Sequence, residues 1–208
     1  MTNISTLQTL VLGSHNRKKC YELGLLLEPL GLSILSLDQV DSPIEVEETG
    51  QTFIENARLK AVQQAVYLQQ WTIGEDSGLC VPGLNDEPGV YSARYSDPGA
   101  TDQRNNEKLL RELQRRSPHD RRAYYVSTIV LANPYGQILI ETEGKCWGRI
   151  IDFPRGQGGF GYDPLFEISE YHRTFAEMGD AVKSVLSHRG RALERFLRRL
   201  RQLRTSSR

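Results

Sequence analysis

The chain has 208 residues, with 26 lysines and arginines balanced by 26 aspartates and glutamates, and 38% of its residues are hydrophobic. This apolar content supports a packed core and argues against a disordered chain. A formal net charge of zero gives no general attraction to nucleic acid or to an anionic membrane, so neither is expected as a partner.

The cysteines and the N-terminus indicate a reducing compartment. The three cysteines are far apart and form no Cys-x-x-Cys pair, which argues against a disulfide framework and a structural zinc site. The first residues lack a signal-peptide pattern, and no apolar run approaches the ~20 residues of a membrane span. We therefore expect a cytoplasmic protein.

The first elements form a strand–helix–strand unit. Residues 9–13 are an apolar run rich in strand formers, and residues 33–37 alternate like a half-buried strand. Between them, leucines recur at helical spacing, and Gly31 is placed to end the helix as a left-handed cap. This order predicts the opening of an α/β fold.

A second strand follows a capped helix. Residues 38–51 form an acidic loop, after which Thr52 and Glu55 make the capping box of a strong helix. Residues 71–76 then predict a strand. Residues 82–100 are rich in proline and glycine, which predicts an ordered loop region and not a helix.

The second half of the chain predicts a helix after Thr101 and a hairpin of residues 122–133 and 137–151 around the turn signal NPYG. Residues 153–166 form a glycine-rich loop. A final helix is predicted from Ala181, with one apolar face made by Val182, Val185, Leu186, Leu193, Phe196, Leu197 and Leu200. We expect a single α/β domain, 1–208, with a basic C-terminal end, 195–208, that is peripheral.

The stretch GEDSGL at 74–79 allows two interpretations. Serine and glycine are common turn formers, and Ser77 and Gly78 are predicted to turn the chain. Glu75 and Asp76 would then lie together at the C-terminal end of a strand, where α/β sheets bind ligands. With Glu45, Glu47 and Glu48 of the acidic loop, they could hold Mg²⁺, which proteins bind through one or two carboxylates and substrate phosphates. The alternative is that acids before a helix are simply favoured by its dipole.

Two basic segments suit an anionic ligand. Residues 14–19 lie between a strand and a helix, where backbone amides and lysines favour phosphate, although an ordinary N-cap with exposed lysines fits too. In the last helix, Gly190 costs about 1 kcal/mol relative to alanine, which suggests a packing or functional reason. Lys183, His188 and Arg189 could there contact phosphate or base, the alternative being a solvated basic face.

The loop GQGGFGYDP at 156–164 suits a nucleobase. Its glycines allow close backbone approach, and Phe160 and Tyr162 offer flat faces for stacking. Asp163 could accept hydrogen bonds from ring nitrogens. A plain β-turn is the alternative, but turns seldom contain four glycines and two aromatic residues.

Six segments in order resemble the inosine/xanthosine triphosphate pyrophosphatase family, over nearly the whole chain. They are SHNRKK at 14–19 followed by Glu22, ETGQTFIENARLKA at 48–61, GEDSGL at 74–79, PGVYSARYS at 88–96, GGFGYDPLF at 158–166 and SHRGRAL at 187–193. The resemblance implies a mixed long central sheet with flanking helices, two lobes around a substrate cleft, and a homodimer.

The resemblance also implies site residues. The catalytic carboxylate is Asp76, and the Mg²⁺ ligands are Glu47, Asp76 and Glu75. The substrate-binding residues are Ser14, His15, Asn16, Arg17, Lys18, Lys19, Ser77, Phe160, Gly161, Tyr162, Asp163, Lys183, His188 and Arg189. Two positions depart from the family pattern: His15 replaces a glycine of the phosphate loop, and Glu75 replaces an aspartate.

The implied activity is Mg²⁺-dependent hydrolysis of ITP, dITP or XTP to the monophosphate and pyrophosphate. Water would attack the α-phosphorus, with Asp76 acting as the base or as a ligand of the metal. Donors such as Arg189 would select the 6-oxo edge of the base. The alternatives are a pyrophosphatase for another modified nucleotide and a non-catalytic nucleic-acid binder, against which the clustered acids argue.

Overall fold

The structure is a computed structural model that describes Ile4 and residues 7–206. Its strands are β1 Thr9–Leu12, β2 Ser33–Ser36, β3 Thr72–Val81, β4 Glu87–Pro88, β5 Arg122–Ala132, β6 Ile138–Ile150, β7 Phe166–Ile168 and β8 Arg173–Thr174. Its α-helices are α1 Arg17–Leu27, α2 Phe53–Leu68, α3 Asp102–Arg116, α4 Phe175–Met178, α5 Asp180–Leu186 and α6 His188–Ser206.

The described strands form one mixed sheet. Its order is β2-β1-β3-β5-β6-β7-β8, and β4 pairs with β3. The pairs β1–β2 and β1–β3 are parallel, whereas β3–β4, β6–β7 and β7–β8 are antiparallel. The predicted mixed α/β fold with flanking helices is confirmed.

The chain divides into two compact units. Unit 1 comprises Met1–Asp76, Ser127–Gly144 and Arg189–Arg208, and unit 2 comprises Ser77–Val126 and Lys145–His188. The boundaries fall inside β3, β5 and β6 and between His188 and Arg189. Each predicted site residue therefore belongs to one unit or the other.

Unit 1 has an apolar cluster on each face of its strands. On one face, Ile129 and Leu131 of β5 pack in a cluster with residues of α1 and α6. On the other face, Val130 and Ala132 pack with the alanines of α2. Successive strand residues point to opposite faces, so β5 supplies both clusters in turn.

Unit 2 has its own core, in which α3 packs against β5 and β7. Leu109 and Leu113 of α3 are fully buried in it. Tyr125 lies at its centre, with its ring 4.8 Å from Phe166 and 5.9 Å from Phe175 between centroids.

Several local predictions are confirmed. Thr52 and Glu55 form the capping box at the start of α2, and Gly31 adopts a left-handed conformation with φ 67°. Thr101 caps α3 by accepting the Arg104 N–H. The NPYG turn is closed by the Gly136 N–H, which donates to the Asn133 carbonyl over 2.9 Å, and the strands it joins are neighbours in the sheet.

The predicted turn at Ser77 and Gly78 is wrong. β3 continues from Thr72 to Val81 without interruption, so GEDSGL lies inside a strand. Pairing with β4, in which Cys80 lies opposite Pro88, extends the ladder beyond the acidic pair. The tertiary pairing therefore overrides the turn propensity of Ser-Gly.

The predicted final helix is in fact two helices. Ser187 is extended, with ψ 162°, and separates α5 from α6. Val182 and Val185 are exposed and do not join an apolar face.

The C-terminal end, as far as residue 206, is not peripheral, because Phe196 and Leu200 of α6 are buried in the unit 1 core. In the described part of the chain, no helix is long and apolar enough to cross a bilayer.

Candidate functional site

The alternation of β3 separates the two adjacent acids. Asp76 contacts side chains of α2, on the same face as Gly74. Glu75 contacts Lys19 of α1 and Arg189 of α6 on the opposite face. The expectation that both carboxylates point to one place is therefore wrong, because neighbours in a strand face opposite ways.

Gly74 brings α2 close to β3. A Cβ at this position would lie 1.9 Å from the Ala57 carbonyl oxygen and 2.6 Å from the Ala61 nitrogen. No side chain fits at such distances, so only glycine permits this approach. The close packing places Asn56 and Lys60 of α2 beside Asp76.

Glu75 is a fully buried carboxylate surrounded by cations. Its Oε2 lies 2.7 Å from Lys19 Nζ, and its Oε1 lies 3.3 Å from Arg189 Nε and accepts the Ser127 hydroxyl over 2.9 Å. Arg189, itself buried, also pairs with Glu22. Burial alone would raise the pKa of Glu75, but Lys19 and Arg189 outweigh it and hold the pKa well below its ordinary value.

Asp76 has different surroundings. Its Oδ1 accepts from Lys60 Nζ over 2.9 Å, and its Oδ2 accepts from Asn56 Nδ2 over 3.3 Å. Burial raises the pKa of Asp76 above its ordinary value, despite the opposing charges of Lys60 and Lys19. A perturbed carboxylate of this kind is typical of a general base.

Two carboxylates converge on Lys60. Its Nζ lies 2.9 Å from Asp76 and 3.1 Å from Glu48, and these charges outweigh burial and raise the pKa of Lys60. Carboxylate oxygens of β3 and of the acidic loop thus lie within ion-pair distance of one ammonium group. Carboxylates are also the ligands that Mg²⁺ prefers.

The predicted metal trio is not brought together. Within Ile4 and residues 7–206, no three or more His, Cys, Asp or Glu side chains are arranged to hold a metal ion. Glu75 does not fit the role, because its oxygens face Lys19 and Arg189. Glu47 is exposed, and it is the next residue, Glu48, that approaches Asp76 through Lys60.

The loop at 14–19 caps α1. The Ser14 hydroxyl accepts the Asn16 N–H, and the Asn16 side chain caps α1 by accepting the Lys19 N–H over 3.1 Å. The Lys19 side chain then reaches Glu75, while Lys18 is exposed. The N-terminus of α1, with its backbone amides and dipole, suits an anion.

His15 and Arg17 face an acidic patch and not the loop's own amides. His15 Nδ1 lies 2.6 Å from Asp38 Oδ1, and Nε2 lies 3.4 Å from Glu45 Oε1. Arg17 Nε lies 2.9 Å from the other oxygen of Asp38. His15, which replaces a glycine of the family pattern, thus contacts acids that follow β2 in the chain.

In unit 2, Asp163 organises the glycine-rich loop. Its Oδ2 lies 2.7 Å from Lys183 Nζ and accepts the Phe160 N–H over 2.8 Å. Lys183 Nζ also lies 4.5 Å from the centre of the Phe160 ring. A Cβ at Gly159, where φ is 73°, would lie 2.1 Å from Asp163, so the turn requires glycine there.

Tyr162 and His188 are core residues of unit 2. Tyr162 is 3% exposed, and its hydroxyl donates to the Ser92 carbonyl over 2.8 Å. The prediction that its ring offers a stacking face is therefore wrong. The His188 ring is buried and stacks on Tyr125 with centroids 4.7 Å apart. Gly161 has φ 62° and donates its N–H to Asp102.

The structure adds residues that the sequence reasoning did not assign. They are Glu22, Asn56, Lys60 and Ser127. Asn56 and Lys60 are four residues apart on α2, which puts them on one helix face, and this spacing was the available signal. Ser77, which follows Asp76 in β3, is the first residue of unit 2.

Comparisons with known proteins show the family to which the chain is similar. The model of the Ham1 family matches residues 10–199. The dITP/XTP pyrophosphatase of Rhodopirellula baltica is 47% identical over 195 residues, covering 93% of each chain. The dITP/XTP pyrophosphatase of Thermosynechococcus vestitus is 47% identical over 186 residues, 89% of this chain and 92% of that one.

A solved structure shows the same fold. It is that of a HAM1 protein from Coxiella burnetii, with a TM-score of 0.82 and 36% sequence identity. The match covers 96% of this chain and 98% of that chain.

Proposed function

The chain belongs to the Ham1 family and is a nucleoside triphosphate pyrophosphatase, and we propose that its substrates are ITP, dITP and XTP. The names of the relatives support the substrates, and the observation that carries the hydrolytic mechanism is Asp76, a buried carboxylate of raised pKa held by Asn56 and Lys60. In this proposal, hydrolysis yields the nucleoside monophosphate and pyrophosphate and removes non-canonical purine nucleotides from the nucleotide pool.

We assign proton acceptance to Asp76. Water attacks the α-phosphorus and passes its proton to the Asp76 carboxylate, and the bond from the α-phosphorus to the bridging oxygen of pyrophosphate breaks. A carboxylate whose pKa is raised toward the working pH is a better proton acceptor. Asn56 and Lys60 orient it by occupying one hydrogen bond on each oxygen.

Lys19, Lys60 and the N-terminus of α1 are assigned to the triphosphate. All three belong to unit 1, and Glu75 holds the Lys19 ammonium in position. Fixed positive charge of this kind stabilises negative charge that develops on phosphate oxygens during hydrolysis. Ser14 and Asn16 shape the loop that precedes α1.

Glu47 and Glu48 of the acidic loop are the residues that would hold Mg²⁺ together with substrate phosphates. A carboxylate that binds a metal tightly is a poor base, so we assign metal binding to this loop and not primarily to Asp76. When bound, Mg²⁺ supplies charge neutralisation and orientation of the phosphates.

The base is assigned to the glycine-rich loop of unit 2. Phe160 supplies a stacking face, and Lys183 is fixed beside it by Asp163. Selection of a 6-oxo purine requires donors that adenine leaves unpaired, and the Lys183 ammonium beside Phe160 is assigned as one. His188 stays a predicted substrate contact, although its ring is buried against Tyr125. Arg189 stays a predicted base contact, although its guanidinium is held by Glu75 and Glu22.

The test is to identify the products of ITP hydrolysis with Mg²⁺ by the wild type and by Asp76→Asn. We expect IMP and pyrophosphate from the wild type and a loss of at least ~10²-fold in kcat for the variant, the contribution typical of a general base. Asp41→Asn, which changes an exposed acid with no assigned role, is the control and should match the wild type. Release of IDP and inorganic phosphate, or near-normal turnover by Asp76→Asn, contradicts the proposal.

A homodimer is also proposed, on the resemblance of the motifs to the family. Sedimentation velocity on the purified chain measures the mass directly. A monomer across micromolar concentrations contradicts this part of the proposal and leaves the enzymatic part untouched.

A further inference from the structure

Three arginines of unit 2 line a single small cavity. Arg121 precedes β5, Arg149 lies in β6, and Arg155 lies in the loop after β6. The cavity has a volume of about 260 Å³, and Glu167 of β7 lies at its wall. No residue assigned to the phosphate, the metal or the base lines it.

Three acids pair with the arginines. Glu167, which is buried, accepts from Arg149 Nε over 2.7 Å and from Arg155 Nη2. These two cations outweigh burial and hold the pKa of Glu167 below its ordinary value. Asp152 pairs with Arg121, but its side chain is 75% exposed, and exposed ion pairs contribute little. Glu177 lies 3.6 Å from Arg155 outside the lining.

Two guanidinium nitrogens at this cavity have no acceptor. Arg121 Nη1 and Arg155 Nε are buried, and neither has a hydrogen-bond partner among the described residues. An unsatisfied buried donor costs about 1–3 kcal/mol, and more when it is charged. Native structures leave few such groups, and each calls for an explanation. Both donors belong to residues that line the same cavity, so we look to that cavity for an acceptor.

The chemistry of the donors defines the acceptor. Guanidinium groups only donate, and their planar fork matches the paired oxygens of phosphate. The cavity is smaller than the roughly 300–1,000 Å³ of pockets that enclose drug-sized ligands. A small oxyanion with several acceptor oxygens suits both the size and the donors.

We propose that Arg121, Arg149 and Arg155 form a binding site for a small phosphate-class oxyanion, separate from the catalytic cluster of unit 1. Inorganic phosphate and pyrophosphate share this chemistry. The anion accepts from Arg121 Nη1 and Arg155 Nε, and the exposed side of Arg149 supplies further donors.

The test is calorimetric titration of inorganic phosphate into the full-length protein at constant ionic strength. We expect Arg121→Gln to weaken phosphate binding about tenfold or more, because a charge-assisted hydrogen bond is removed. Arg122→Gln is the matched control, since this neighbour is exposed and pairs with Asp120, and it should bind as the wild type does. A parallel titration with pyrophosphate shows which of the two oxyanions binds more tightly.

Two further variants keep the test decisive. Lys19→Gln removes a cation from the unit 1 cluster and should leave this phosphate site intact. Arg149→Gln changes a half-exposed side chain, so it should fold normally and still weaken binding. If Arg121→Gln and Arg149→Gln bind phosphate as tightly as Arg122→Gln, or if Lys19→Gln abolishes all binding, the cavity is not an anion site.

Discussion

Glu75 and Asp76 show how a strand gives two neighbouring carboxylates opposite properties. Glu75 lies between Lys19 and Arg189, which lower its pKa, whereas burial raises the pKa of Asp76. Glu75 is thus held in its ionised form, whereas Asp76 is a candidate general base. Glu75 positions the cations, and the chemistry is assigned to Asp76.

Glu75→Gln should destabilise the protein by about 3 kcal/mol at neutral pH, because it leaves Lys19 and Arg189 with an uncharged partner in a buried site. The folded pKa of Glu75 lies below its unfolded value of about 4.3, so its charge contributes stability above that pH. The contribution is lost as the pH falls from there toward the lowered pKa.

Urea unfolding of wild type and variant at pH 7 and pH 3 measures this effect. The difference between the two proteins should shrink at the lower pH. Glu194→Gln, an exposed acid of α6, should change stability by less than about 0.5 kcal/mol. An equal difference at both pH values would contradict the linkage.

His15→Gly should change kcat/KM for ITP by less than about threefold. The His15 ring faces Asp38 and Glu45, and it is 46% exposed, so its ion pairs contribute little. Lys19→Gln should lower kcat/KM by more than about tenfold, since a charge assigned to phosphate is removed. Steady-state kinetics with both variants make the comparison, and a larger loss in His15→Gly would make His15 a substrate ligand.

At the scale of elements, local signals predicted the starts and ends of helices well. Thr52 with Glu55, Gly31 and Thr101 act through contacts within a few residues, so the sequence alone reveals them. The length of β3 depends on its pairing with β4, which local propensity does not report. The break at Ser187 could not be predicted either, because the apolar residues of α5 continue the spacing of those in α6.

Gly74→Ala should destabilise the protein by about 1–3 kcal/mol, the typical cost of overpacking. The added Cβ would meet the backbone of Ala57 and Ala61, which hold α2 against β3. Gly24→Ala is the control, because its Cβ would lie 3.6 Å from Ile34, an ordinary contact, and alanine favours the α1 helix. Chemical unfolding should therefore show opposite signs for the two, and a neutral Gly74→Ala would contradict the close approach.

At the scale of the molecule, the class of fold and the family followed from motifs spread along the chain. Asp76, Lys19 and Asp163 could be predicted as site residues because each is a charged residue within a recognisable motif. Lys60 and Glu22 were not assigned, since their roles arise only when α2 and α6 are brought to β3. Likewise, the burial of Phe196 and Leu200 could not be predicted from the sequence, because arginines lie next to them along the chain.

The central claim is selectivity for non-canonical purine nucleotides, and kcat/KM for ITP and ATP with Mg²⁺ tests it most directly. A site that recognises the 6-oxo group by buried hydrogen bonds should favour ITP by at least ~10²-fold. Equal values of kcat/KM for ITP and ATP would contradict the account.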